Sequence, residues 1–140
     1  QAEHPGFNTA RGGKETILVV EDNAALSAAV CKTLWHLGYQ VLAAASGPEA
    51  LLIWKDKRDG IDLLLTDLVM PGGMNGKELA VQLLKEKPEL KVIYASGYSA
   101  EVAGNDFPLE EGVNFLSKPF PALKLATTIR NILDKKTFLG

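Results

Sequence analysis

Five polar side chains that could do chemistry together each follow an apolar stretch of this sequence. Glu21 and Asp22 follow TILVV, Asp67 follows IDLLLT, Ser96 follows KVIYA, and Lys118 follows VNFLS. Taken singly, each has a simpler explanation, because Asp22 and Ser96 could cap helices and Lys118 could be a solvated charge. Three acids, a hydroxyl and an amine that all follow strand-like runs are harder to explain one by one. They predict a single site built from several strand ends.

Such a site needs positive charge, and this need indicates its chemistry. Two ionised carboxylates about 4 Å apart repel by about 4 kcal/mol at an effective dielectric near 20, so three require protonation or a cation. Mg²⁺ suits oxygen ligands and also takes phosphate oxygens, and the amine of Lys118 can face an oxyanion. A carboxylate can attack phosphorus and form an acyl phosphate. Asp67 is the candidate acceptor, because it ends the predicted central strand between the acid pair and Lys118.

The strands can bring these residues together only if they lie parallel in one sheet. Strand candidates are Thr16–Val20, Tyr39–Ala45, Ile61–Thr66, Lys91–Ala95 and Val113–Ser117, and helical periodicity separates them: Leu26 to Leu37, a run after Ser46, about Gly76 to Lys87, and Pro121 to about Lys135. Gly104 and Pro108 interrupt the interval from Gly97 to Gly112 and predict a short or irregular fourth helix there. This alternation is typical of an α/β fold, a doubly wound five-stranded parallel sheet with helices on both faces. In such sheets function collects at the carboxyl ends of the strands.

Length and composition set the domain organisation and exclude some partners. The chain has 140 residues, 46% hydrophobic and 23% charged, with a net charge of −2. We expect a linker over residues 1–15, one domain over 16–135 and a tail over 136–140. The charge balance gives no basic face for nucleic acid, and no apolar run approaches the roughly 18 residues that span a bilayer. We therefore expect no direct contact with nucleic acid or membrane, and a cytoplasmic location.

Four motifs, in this order and spacing, resemble those of the response-regulator receiver domain of bacterial two-component signalling. They are ILVVEDN, LLLTDLVMPGGMNG, VIYASGY and FLSKPF, and the resemblance covers about Thr16 to Asp134. The chain is similar in particular to the chemotaxis regulators, whose sheet has the strand order 2-1-3-4-5. The resemblance implies a phosphoacceptor domain that catalyses only its own phosphorylation and dephosphorylation, and is otherwise not an enzyme.

The resemblance also implies the roles of the acids. Asp67 corresponds to the phosphoacceptor and would also be a ligand of Mg²⁺. Asp22 would bind the ion directly and Glu21 through water. Val69 would contribute its backbone carbonyl, which leaves its side chain free to vary.

Ser96, Lys118 and Phe115 correspond to the residues that read the phosphoryl group. Ser96 matches the switch hydroxyl and Lys118 the lysine that contacts a phosphoryl oxygen; the Lys118–Pro119 bond resembles one that is cis in the family. Phe115 holds the aromatic switch position, where many members have Tyr, so a rotamer switch would act by packing alone. The MPGGMNG loop is one residue longer than the family pattern MP-x-M-[DN]-G.

The partners follow from the same resemblance. The donor would be a phosphohistidine on a histidine kinase or a histidine phosphotransfer domain. The sequence looks most like the C-terminal receiver of a hybrid sensor histidine kinase, tethered through it to a membrane sensor. A single-domain regulator or the receiver of a transcription factor would look much the same, and a homodimer is left open.

Three alternatives belong to other classes. A flavodoxin-like cofactor domain would need a glycine-rich phosphate loop after the first strand, where EDNAAL offers acids. An NTPase would need G-x-x-x-x-G-K-[ST], which the GGKET stretch does not match. A non-catalytic pseudo-receiver that only binds a partner would be expected to lack the acceptor or the lysine, and both Asp67 and Lys118 are present.

Overall fold

A single parallel sheet organises the computed structural model, which describes residues 12–70, 73–97 and 108–135. The strands are β1 (Thr16–Val20), β2 (Gln40–Ala44), β3 (Leu63–Asp67), β4 (Lys91–Ser96) and β5 (Phe115–Ser117). Their order is β2-β1-β3-β4-β5, and every neighbouring pair is parallel. The predicted fold class and strand order are therefore confirmed.

Four α-helices accompany the strands within the described ranges. They are α1 (Ala24–His36), α2 (Gly47–Lys57), α3 (Gly76–Glu86) and α4 (Ala122–Asp134), with a 3₁₀ turn at Arg58–Gly60. The short or irregular helix predicted between Gly97 and Gly112 lies mostly outside the described residues. The helix predicted fifth in the sequence is therefore α4 here. None of the described helices has both the length and the apolar character needed to cross a membrane.

Helices cover the sheet on both faces, and the strand sequences reflect this. Leu18 and Val20 of β1 belong to a core shared with α2 and α3, whereas Ile17 and Val19 belong to a second core shared with α1 and α4. All four side chains are at most 1% exposed. A strand buried on both faces has no polar side, which is why TILVV reads as a continuous apolar run.

Polar side chains cap the starts of the three helices that follow β1, β2 and β3. Asn23 caps α1, Ser46 caps α2 and Asn75 caps α3. The α3 cap is reciprocal: Asn75 Oδ1 accepts from the Glu78 amide at 2.8 Å, and Glu78 Oε1 accepts from the Asn75 amide at 3.0 Å. Such caps satisfy backbone donors that the first turn leaves unpaired. They fix the paths that the chain takes away from the carboxyl edge of the sheet.

Two strands extend one residue further than predicted, and both extra residues are site candidates. β3 ends at Asp67 instead of Thr66, and β4 ends at Ser96 instead of Ala95. Asp67 pairs in register with Ala95, and Ser96 pairs with Ser117. The sheet itself therefore holds the backbone of both residues.

Arg130 ties the start of the described chain to α4. Its guanidinium donates to the Gly12 carbonyl at 3.0 Å, to the Glu15 carboxylate at 2.7 and 3.1 Å, to Asp134 Oδ1 at 2.8 Å and to the Tyr39 hydroxyl at 3.4 Å. Arg130 is 9% exposed. These contacts bind residues ahead of Thr16, where we predicted the domain to begin, to the body of the fold.

Candidate functional site

The predicted site residues come together at the carboxyl edge of the sheet. Asp67 and Ser96 end β3 and β4, while Glu21 and Lys118 directly follow β1 and β5. The backbone continues the sheet pairing at these positions, since the Lys118 amide donates to the Ser96 carbonyl at 2.8 Å. Four strands thus deliver their end residues to the same edge.

Three carboxylates lie close enough to share one cation. Oxygen atoms of Glu21, Asp22 and Asp67 all lie within 4.8 Å of one another. Glu21 and Asp67 are 7% and 4% exposed, whereas Asp22 is exposed. Three hard oxygen donors, two of them buried and one open to solvent, fit a divalent ion such as Mg²⁺ that keeps part of its water shell.

Lys118 supplies positive charge to the buried pair. Its Nζ donates to Glu21 Oε1 at 2.8 Å and is also ion-paired with Asp67 Oδ1. The second oxygen of Glu21 accepts from the Asn23 amide at 2.9 Å. The Lys118 side chain is 24% exposed, so it is only partly buried where it meets the two carboxylates. The Lys118–Pro119 bond is cis, as the resemblance implied.

Burial and neighbouring charges separate the pKa values of these groups. Burial raises the pKa of Asp67 to about 7, and the Glu21 carboxylate adds to the rise while Lys118 opposes it. Burial also works to raise the pKa of Glu21, but bonds from Lys118, Asp67 and the Asn23 amide hold it below its usual value. The two carboxylates raise the pKa of Lys118 against the effect of its burial. Asp67 is therefore the group whose charge is costly, and compensation by a cation would favour its ionised form.

Gly76, which the sequence indicates only as the approximate start of a helix, allows close packing against the backbone of Asp67. Its amide donates to the Leu68 carbonyl at 2.9 Å, and a Cβ at this position would overlap the carbonyl oxygen of Asp67. Thr66 Oγ1 donates to that same oxygen at 3.0 Å. The signal that could have revealed this packing is the glycine that follows the helix-capping Asn75. In the loop before it, Gly73 has φ +86°, in the region that favours glycine, while Pro71 and Gly72 lie outside the described residues.

Val69 and Phe115 occupy contrasting environments. The Val69 side chain is 67% exposed, between Leu68 and Met70, which are each 7% exposed. Phe115 is fully buried and pairs in register with Tyr94. An exposed Val69 side chain agrees with a role for its backbone alone, and Phe115 already lies in the core shared with α2 and α3.

Comparison with known proteins gives a consistent set of matches. The family model for the response regulator receiver domain matches residues 17–130. The sensor kinase CckA of Brucella abortus (strain 2308) is 38% identical over 124 residues, which are 89% of this chain and 13% of that kinase. The receiver protein CpdR of the same organism is 32% identical over 117 residues, which are 84% of this chain and 95% of that protein.

A solved structure agrees with these sequence matches. The receiver domain from the hybrid histidine kinase CckA superposes with a TM-score of 0.65 at 35% identity, covering 85% of this chain and 99% of that one. The chain therefore spans only a small part of the sensor kinase that it matches and nearly all of the single receiver protein.

Proposed function

This chain belongs to the response regulator receiver domain family of two-component signalling, and on that premise we propose that Asp67 accepts a phosphoryl group from a phosphohistidine in a Mg²⁺-dependent transfer. The observation that carries the proposal is the convergence of Glu21, Asp22, Asp67 and Lys118 at one edge of the sheet. Asp67 is the acceptor because, of the three acids, it alone lies within a strand, where it pairs in register with Ala95, whereas the other two follow the end of β1. Its position is therefore the most firmly held of the three acids.

Carboxylate oxygens of Asp22 and Asp67 and the Val69 carbonyl would hold Mg²⁺ directly, and Glu21 would hold it through water. When bound, the ion would offset negative charge on the phosphoryl oxygens and help to orient the group toward Asp67. The clustering of the three carboxylates supports this assignment. The exposed side of the cluster, at Asp22, is where the donor would approach.

The chain's own residues act as nucleophile and clamp. The ionised Asp67 carboxylate attacks phosphorus, an O–P bond forms, and the P–N bond to the donor imidazole breaks, with its electron pair passing to the imidazole. Lys118, which contacts Asp67 and Glu21, would bind an oxygen of the transferred group, and these contacts support that role. The domain accepts the group and later loses it, and we propose no other catalytic activity for it.

The readout of phosphorylation would pass through Ser96 and Phe115. The acyl phosphate would bond the Ser96 hydroxyl, Phe115 would repack, and the face formed by the segment between β4 and β5, by β5 itself and by α4 would shift. Support comes from the sheet, because Ser96 pairs with Ser117, the residue before Lys118. Ser96 and Phe115 therefore lie on two neighbouring strands, β4 and β5.

We propose a histidine kinase or a histidine phosphotransfer domain as the partner, and a hybrid histidine kinase as the protein that contains this receiver. The support is the higher identity to the sensor kinase CckA than to CpdR, 38% against 32%. A stand-alone regulator is the second candidate, favoured by the 95% of CpdR that the chain covers. The sequence that flanks this domain in the full-length protein distinguishes the two.

A phosphodonor assay tests the acceptor. The wild-type protein, incubated with a small-molecule phosphoramidate and Mg²⁺, should gain one phosphoryl group that hydroxylamine removes. The Asp67→Asn variant should gain none, whereas Asp59→Asn, at a fully exposed position on the 3₁₀ turn, should label as the wild type does. Equal labelling of Asp67→Asn and the wild type would contradict the assignment. Binding of a kinase without any labelling would instead favour the interaction-only module.

A further inference from the structure

Lys118 follows the shortest strand of the sheet. β5 has three residues, against five or six in the other strands. Within the described part of the chain it lies at the edge of the sheet, with β4 as its one strand neighbour. A short edge strand has few ladder bonds to hold its end in place. The position of Lys118 therefore depends on additional contacts.

The side chain of Glu111 supplies such contacts on the outer side of β5. Backbone groups of alternate residues face the neighbouring strand, and those of Asn114 and Lys118 bond to β4. Ser117 is out of phase with these two residues, so its backbone faces away from β4. Its amide donates to Glu111 Oε2 at 3.1 Å. The Ser117 hydroxyl donates to Glu111 Oε1 at 2.5 Å. Glu111 thus takes the place of a further strand beside the residue that precedes Lys118.

The same carboxylate also reaches α4. Lys124 Nζ, in the first turn of that helix, lies 2.8 Å from Glu111 Oε2. Burial works to raise the pKa of Glu111, but the bonds from Lys124 and Ser117 hold it below its usual value, so the group is ionised at neutral pH. Glu111 therefore joins the residues before β5, the end of β5 and the start of α4.

We infer that Glu111 is a positioning residue for phosphoryl transfer, holding Ser117 so that Lys118 stays directed at Asp67. The inference rests on the function proposed above. The outer bonds from Glu111 to Ser117 and the inner bond from Lys118 N to the Ser96 carbonyl hold two successive residues from opposite sides. Without the outer bonds, the lysine amine would spend less time at the acceptor.

The first test is the rate of labelling by the phosphoramidate. Glu111→Ala should slow the reaction about three- to tenfold, because a 1 Å misplacement can cost about 100-fold and loss of the outer bonds should displace the amine by less than that. Mg²⁺ affinity should stay within about twofold of the wild type. Glu111→Gln, which keeps an oxygen acceptor for Ser117, should recover most of the rate. Glu110→Ala is the matched control, because it removes the neighbouring carboxylate, which has no ion pair among the described residues, and should leave the rate unchanged.

A double-mutant cycle identifies the route of the effect. In a Lys118→Ala background, adding Glu111→Ala should slow labelling no further, because Glu111 acts through that lysine. An equal slowing in both backgrounds would overturn the inference. So would a Glu111→Ala rate equal to the wild type. Failure of the proposed function looks different, because the wild type itself would then take no label.

Amide hydrogen exchange gives a readout independent of phosphorylation. Loss of the Glu111 carboxylate should speed exchange at the Ser117 amide and also at the Lys118 amide, which faces β4. Faster exchange at Ser117 alone would show that Glu111 is a local surface contact and would refute the positioning role. Thermal unfolding of each variant, measured alongside, shows whether the fold is intact.

Discussion

Replacing Asp67 with Asn should stabilise the metal-free protein, by an amount that depends on pH. Asp67 is 4% exposed, and its burial, with Glu21 nearby, raises its pKa to about 7 from a usual 3.8. A rise of roughly three pKa units corresponds to about 4 kcal/mol for ionising the carboxyl inside the fold. Solvent at the open side of the site screens part of this cost, so we expect a gain of about 2 kcal/mol at pH 8.

The sign follows from the proton that Asp67 holds. Between about pH 4 and pH 7 the unfolded chain has released this proton while the folded protein keeps it, so the free energy of unfolding falls as the pH rises and levels off above about 7. The Asp67→Asn variant lacks this proton. Its advantage over the wild type should therefore be small near pH 4 and reach its full size above pH 7.

Urea unfolding in EDTA, followed by the fluorescence of the buried Trp54, measures this difference from pH 4.5 to pH 8. The Asp59→Asn variant, changed at an exposed position, should follow the wild type throughout. Parallel pH profiles for Asp67→Asn and the wild type would refute the claim that the fold penalises a charge on Asp67.

Added Mg²⁺ should reverse the advantage of the variant. A ligand that binds only the folded state at 100 times its dissociation constant stabilises by about 2.7 kcal/mol, and the wild type has all three carboxylates to hold the ion. The same urea series with saturating Mg²⁺ at pH 8 should bring the wild type level with Asp67→Asn or above it. An equal Mg²⁺ effect on both proteins would argue against Asp67 as a ligand.

Three further predictions test other parts of the structure. Asp22→Ala should weaken Mg²⁺ affinity more than Glu21→Ala, because we assign direct binding to Asp22 and binding through water to Glu21, and a titration that gives the reverse order would contradict these roles. Arg130→Met should cost about 2 kcal/mol in urea unfolding, since it leaves the Glu15 carboxylate without its strongest partner; a change under about 0.5 kcal/mol would show that the cluster contributes little. Gly76→Ala should destabilise by about 1–3 kcal/mol through overpacking against the backbone of Asp67, and an unchanged unfolding midpoint would refute that steric argument.

The sequence predicted site residues best where an apolar run by itself indicated the end of a strand. Apolar runs that stop at Asp67 and at Ser96 located both residues to within one position of the strand ends, because a strand buried on two faces has to be apolar throughout. The parallel alternation of strands and helices then brought these ends to one edge. The capping box of Asn75 and Glu78 was equally readable from its three-residue spacing, but the sequence reasoning placed the start of that helix without using it.

Long-range charge pairs could not be predicted in the same way. No motif in the sequence links Glu111 with Lys124, and Arg130 and Glu15 are 115 residues apart. Nothing in local periodicity says which of the 17 acids meets which of the 15 Lys and Arg residues. The contact of Lys118 with Glu21 and Asp67 was foreseeable because all three follow or end strands whose carboxyl ends meet at one edge, and the family resemblance placed them in one site as well.

Arg130 and its partners hold the two ends of the described domain close together. The Gly12 carbonyl and the Asp134 carboxylate both accept from this guanidinium, so the polypeptide enters and leaves the domain side by side. The cluster of Glu21, Asp22 and Asp67 lies at the opposite end of the domain, where β1 and β3 end. A tether at either terminus would consequently leave that end of the domain open to an approaching donor.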